Sequence, residues 1–250
     1  MEKHPVVDTK TARIETVRIE TVAFDSLILR LFDAIDEAHM PWVLAAVKAV
    51  RDTLQERALE VVPSYTTVLV QVDIERLSLD EARHSLRQAL ARLEPLASGS
   101  GTLHEIPVWY DASVGPELPR IAERLKVSSD EIIARHCAHE YSVFALGFAP
   151  GYGFMGLVEE ALATPRLKTP RQKVAAGSVG IADRQTAIYP ATSPGGWNLL
   201  GRTAVKLFDR NREGYTLFQP GDRVRFIAID RATFVAQGGD TTPQPEEVNP

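Results

Sequence analysis

The chain has 250 residues, 44% apolar and 24% charged, and a formal charge of −5 from 28 Lys+Arg against 33 Asp+Glu. This is the composition of a globular protein of one or two domains. It excludes a mostly disordered chain and disfavours non-specific nucleic-acid binding, which needs dense Lys/Arg contacts to phosphate. No run approaches the roughly 20 apolar residues that a membrane-spanning helix requires.

Residues 1–16 are expected to be disordered, and they carry no apolar signal-like core, so a cytoplasmic location is expected. A first domain is expected over 17–105. The β-branched stretch 16–32, which includes part of a tandem RIETV-RIETV repeat, reads as one strand or two. Val43, Val47, Val50 and Leu54 share one face of a helix with Pro41 in its first turn. Residues 58–73 read as two strands around a turn at Pro63-Ser64. Ser78 and Glu81 form a capping box for a second helix, with Ala82, Leu86, Ala89 and Leu93 as its buried stripe. A strand over 102–111 completes a β-α-β-β-α-β order, that of a ferredoxin-like sandwich.

The second domain, 106–237, opens with helices carrying Leu118, Ile121 and Leu125, then a capping box at Ser128 and Glu131. Residues 147–201 hold nine of the 16 glycines and five of the 16 prolines, so long helices give way to short strands of a closed or strongly bent sheet. Residues 238–250, with three prolines and three acids, are expected to be a solvated, disordered tail.

Four strings occur in order in this region: GFAPGYGFMG (147–156), TPRLKTPRQKVAAGSVGIADRQTAIYPATSPGGWNLLGRT (164–203), LFD (207–209) and PGDRVRF (220–226). Together they resemble the family of the 5-oxoprolinase B subunit, also called KipI or allophanate hydrolase subunit 1. The resemblance spans about 18–237. It departs from the family pattern at Ala175, at Ala187 and in the segment Pro63–Thr67, which lacks the family's glycine and arginine. The resemblance implies an α+β fold, with an N-terminal ferredoxin-like α/β sandwich followed by a C-terminal cyclophilin-like β-barrel. It also implies an ATP-dependent 5-oxoprolinase, a hydrolase of 5-oxo-L-proline. Its two partners would be the 5-oxoprolinase C subunit (of the KipA or allophanate hydrolase subunit 2 type) and the A subunit, and this chain would be inactive without them. ATP with magnesium would be bound mainly by a partner, because this chain has no phosphate-loop or dinucleotide fingerprint. Two alternatives stay open: a KipI-type inhibitor of a sensor histidine kinase, and an allophanate hydrolase subunit 1.

Opening a lactam requires a clamp for the substrate carboxylate and donors for developing negative charge. Arg166, Lys168, Arg171 and Lys173 lie within eight residues, with Arg202 further on; arginine grips a carboxylate or phosphate through two parallel bonds. The side-chain amide of Gln185 can donate to a lactam oxygen and accept from its N–H. Arg171, Gln185 and Arg202 are therefore the catalytic candidates, expected to line one cleft. Arg166, Ser178, Thr186, Tyr189 and Trp197 are the substrate-binding candidates. Ser178 is equally readable as a turn serine, and the two aromatic residues as barrel packing. No metal site is expected: His136 and Cys137 are adjacent, and adjacent helical residues point apart.

Overall fold

A computed structural model describes residues 17–97, 99 and 101–245. The expectation for 1–16 lies outside these, as does residue 246 onward. The chain divides into two units at Ser100/Gly101.

The first unit is a four-stranded antiparallel sheet, in the order β1-β2-β4-β3, with two helices. β1 (Arg18–Ala23) and β2 (Ser26–Arg30) form a hairpin, and α1 (Met40–Leu54) follows. β3 (Ala58–Ser64) and β4 (Thr67–Val72) form a second hairpin, closed by α2 (Leu79–Leu90). Val43, Val47, Val50 and Leu54 are all buried against Leu27, Leu29, Val68 and Val70, as the helical spacing requires. The Ser78 hydroxyl accepts from the Glu81 backbone N–H and the Glu81 carboxylate accepts from the Ser78 backbone N–H, completing the capping box. Leu90, rather than Ala89, carries the last buried position of α2. The turn between β3 and β4 falls at Tyr65-Thr66, two residues beyond Pro63-Ser64, with Tyr65 at φ +53°.

The layering is that of the expected α/β sandwich, but the element order is β-β-α-β-β-α. The strand expected to close it belongs to the second unit as β5 (Leu103–Tyr110), where it pairs in parallel with β13 (Arg223–Ile229). The boundary therefore lies before β5, not after it.

The second unit is a closed seven-stranded barrel, β10-β7-β6-β13-β5-β12-β9. After β5 come α3 (Glu117–Leu125) and α4 (Ser129–Ala138), then β6 (Glu140–Leu146) and β7 (Gly153–Gly156). β8 (Arg171–Val174) pairs with β11 (Ser193–Gly195) in a separate ribbon beside the barrel. Between them run β9 (Ser178–Ala182) and β10 (Gln185–Ile188), followed by β12 (Asn198–Arg202). After β13, α5 (Arg231–Ala236) completes the unit. Register shifts in β6 and β12 supply the bends that closure demands. No helix among the described residues is long and apolar enough to cross a membrane.

Ile106, Val108, Val143, Val179, Ile181, Ile188, Val224 and Phe226 fill the barrel. One polar chain crosses this core. The Thr186 hydroxyl donates to the Gly180 carbonyl (3.1 Å), so it accepts from His136 Nε2–H (3.0 Å). His136 Nδ1 then accepts from the Tyr110 hydroxyl (2.7 Å), which in turn receives the Cys137 thiol (3.6 Å). His136 stacks on Phe226 at 4.5 Å and is fully buried; burial pulls its pKa down to about 3. The histidine is thus a neutral relay of hydrogen bonds inside the core.

The segment KVAAGSVGIA is divided between β8 and β9 by a break at Ala175–Gly177. Gly177 has φ +79°, and a Cβ there would lie 2.2 Å from the Thr203 carbonyl oxygen. The close approach that its glycine permits is therefore to backbone.

Candidate functional site

Two cavities open beside the barrel, and Arg166 lines both. The smaller, about 300 Å³, is walled by Tyr152, Phe154, Tyr189 and Trp197, with Gln185 and Asp183 among its polar edges. Tyr152 stands edge-on to Tyr189 (5.6 Å, 83°) and to Trp197 (6.1 Å, 85°), an arrangement that suits the aromatic quadrupoles. The Tyr189 hydroxyl packs against Gly195, where a Cβ would fall 2.2 Å from the oxygen, so no larger residue fits opposite it. Burial raises the Tyr189 phenol above its ordinary pKa.

The larger cavity, about 580 Å³, lies between α3 and the segment 164–171. Its floor is a buried ion pair. Arg171, at 3% exposure, meets Glu117, whose other carboxylate oxygen accepts the Leu199 amide at 2.8 Å. Arg171 Nη1 also donates to the Trp197 carbonyl at 3.4 Å, linking this floor to the wall of the aromatic cavity. Leu167 N–H donates to the Gly196 carbonyl at 2.8 Å, which ties the basic segment to the Ser193–Trp197 loop.

The sequence-predicted residues fall into four places, of which the floor of the larger cavity, with Arg171, is one. Gln185, Tyr189, Trp197 and Arg166 come together at the aromatic cavity. Thr186 does not, because neighbouring strand residues face opposite sides. Gln185 pairs with Ala182 on the outer face, whereas Thr186 pairs with Met155 and Ile181 on the inner face, where it holds His136. Arg202 and Ser178 form a cross-strand pair elsewhere. Arg202 is 1% exposed, and its Nη1 donates to the Asp240 and Thr242 carbonyls, 2.7 Å each.

The expected cleft shared by Arg171, Gln185 and Arg202 is therefore not formed. β12 begins at the larger cavity with Asn198, and Arg202 lies four residues, about 13 Å, further along it. The expected loose tail is corrected as well, as far as residue 245. Gln244 is 6% exposed, accepts from the Ala175 amide (3.0 Å) and donates to the Lys173 carbonyl (2.9 Å). Its segment lies over Arg202 instead of leaving the surface.

Sequence reasoning missed Glu117, Arg120 and Arg124, which line the larger cavity, and Tyr152 and Phe154 in the smaller one. Arg120 and Arg124 are spaced i, i+4 on α3, which was the available signal for a shared basic face. The i, i+2 spacing of Tyr152 and Phe154 within GFAPGYGFMG was the corresponding signal for one side of a strand.

Residues 17–218 match the family model for the carboxyltransferase domain, subdomain C and D. The chain is 32% identical over 233 residues to the 5-oxoprolinase B subunit of Bacillus subtilis, covering 88% of this chain and 97% of that one. It belongs to the family of the 5-oxoprolinase B subunit. The corresponding B subunit of Escherichia coli O157:H7 is 38% identical over 197 residues, covering 76% of this chain and 89% of that relative. Among solved structures, the protein TTHA0988 superposes with a TM-score of 0.72 at 37% identity. The match takes in 90% of this chain but only 42% of TTHA0988. The two cavities and the buried Glu117–Arg171 pair are thus features of a member of this 5-oxoprolinase family.

Proposed function

We propose that this chain acts as the B subunit of a cytoplasmic 5-oxoprolinase, in a complex with the C and A subunits that hydrolyses 5-oxo-L-proline to L-glutamate with ATP. The observation that carries the proposal is the kinship over 97% of the Bacillus subtilis relative. The aromatic cavity supports it chemically. The faces of a five-membered lactam are apolar and suit Tyr152, Phe154, Tyr189 and Trp197. Its carboxylate suits Arg166, and its amide is complementary to the side-chain amide of Gln185. Arg171 serves as a positioning residue through the Trp197 carbonyl.

When bound, ATP would activate the amide by phosphorylating its oxygen. Among the described residues no group of three or more His, Cys, Asp or Glu is placed to hold a metal ion. We route no step of this chain through magnesium or the nucleotide. The names of the relatives favour this reading over a kinase inhibitor or a component of allophanate hydrolase.

The test is reconstitution. Glutamate release from 5-oxoproline is expected to need this chain, its partners and ATP together. Full activity from the partners alone would refute the proposal.

A further inference from the structure

The larger cavity is charged out of keeping with the chain. Five cations line it, Arg120, Arg124, Arg166, Lys168 and Arg171, against the single carboxylate of Glu117, in a protein whose formal charge is −5. That carboxylate is already committed to Arg171 and the Leu199 amide. The other four cations have no ion-pair partner among the described residues. Arg120 donates to the Asn198 side chain (2.9 Å), and Arg124 donates to the Ala163 carbonyl (3.1 Å) and the Thr164 hydroxyl (2.7 Å). These bonds hold both guanidinium groups at the cavity edge without neutralising them. Arg171 lines the cavity at 3% exposure, paired with Glu117, and its buried Nε has no hydrogen-bond partner among the described residues. A buried guanidinium N–H is costly to leave unpaired.

We propose that this cavity binds a polyphosphate-bearing small molecule, separately from the aromatic cavity. One carboxylate carries one charge and occupies one arginine fork, which leaves the remaining cations uncompensated. A di- or triphosphate carries several charges and many acceptor oxygens, and so can engage cations arriving from α3 and from the 164–169 segment at once. At about 580 Å³ the cavity is of metabolite size. The inference stands on charge and shape and does not depend on the 5-oxoprolinase reading.

Titration calorimetry on the full chain alone, with tripolyphosphate as the probe, tests it. One equivalent is expected to bind. The R120Q/R124Q double variant should weaken binding by at least about tenfold. K168Q, which removes an exposed side chain, should weaken it by about threefold while leaving the unfolding midpoint in place. R87Q, on α2 of the first unit, should change nothing. ATP titrated against the same variants distinguishes a nucleotide from free polyphosphate, and a loss in either series supports the site. Absence of binding of both probes to the unsubstituted chain, equal losses in R87Q, or citrate binding as tightly as tripolyphosphate would overturn the proposal. Glutamate release plays no part in the readout, so this proposal and the 5-oxoprolinase assignment can fail separately.

Discussion

Glu117 at the start of α3 and Arg171 at the start of β8 form an ion pair whose side chains are only 7% and 3% exposed. It joins the helix to the ribbon and, through the Leu199 amide, to β12. Removing one member of such a pair leaves a buried charge without compensation, at a cost of about 3–5 kcal/mol. Glu117→Gln is expected to lower the unfolding free energy by that order in urea titration. The double variant Glu117→Gln/Arg171→Met should lose less than the sum of the two single losses.

The adjacent residues Gln185 and Thr186 should separate function from stability. Gln185→Leu removes the amide at the aromatic cavity and is expected to lower kcat/KM of the reconstituted complex about 10- to 100-fold, with little change in unfolding midpoint. Thr186→Val deletes the acceptor of His136 and the donor to Gly180, and should cost about 1–3 kcal/mol of stability while kcat/KM is retained. The reverse pattern would reassign the two side chains.

His136 makes stability depend on pH. Its pKa is lowered to about 3 by burial, against 6.5 for the free group. Between those values the unfolded chain takes up a proton that the folded chain refuses. This contribution is therefore constant above about pH 6.5 and is lost as pH falls toward 3, with a slope of up to about 1.4 kcal/mol per pH unit. His136→Gln is expected to be less stable at neutral pH, yet to lose close to one proton's worth of slope between pH 4 and 6. Unfolding free energies across that range provide the check.

The segment 240–244 carries the only hydrogen-bond acceptors that Arg202 has among the described residues. Truncation after Gly239 is expected to cost about 2–4 kcal/mol, by stripping the acceptors from a buried guanidinium and the Gln244 bonds from Lys173 and Ala175. Hydrogen exchange should rise at the Thr203 amide, which donates to Gly177 beside Arg202. Unchanged stability and protection would show the segment to be incidental.

The local rules were legible. Helix periodicity placed Val43, Val47, Val50 and Leu54 in the first core and Leu118 and Ile121 in the second, because a 3.6-residue repeat is written in neighbouring residues. Ser78 and Glu81 announced their helix because a cap is closed within three positions. The strand at 102–111 was recognised, but its sheet was not, since β5 pairs with a segment some 120 residues away and no local pattern names that partner.

For the site, residue types alone pointed to the basic segment and to Gln185, Tyr189 and Trp197, and the run of motifs identified the family. Tertiary structure decided which of these meet. Strand alternation sends Thr186 inward while Gln185 faces out, and the length of β12 carries Arg202 away from the cavity that Asn198 borders. Pairing Arg171 with Glu117 took contact across 54 positions. Composition records how many charges a chain has; only the folded path determines which of them neutralise one another and which are left lining a cavity.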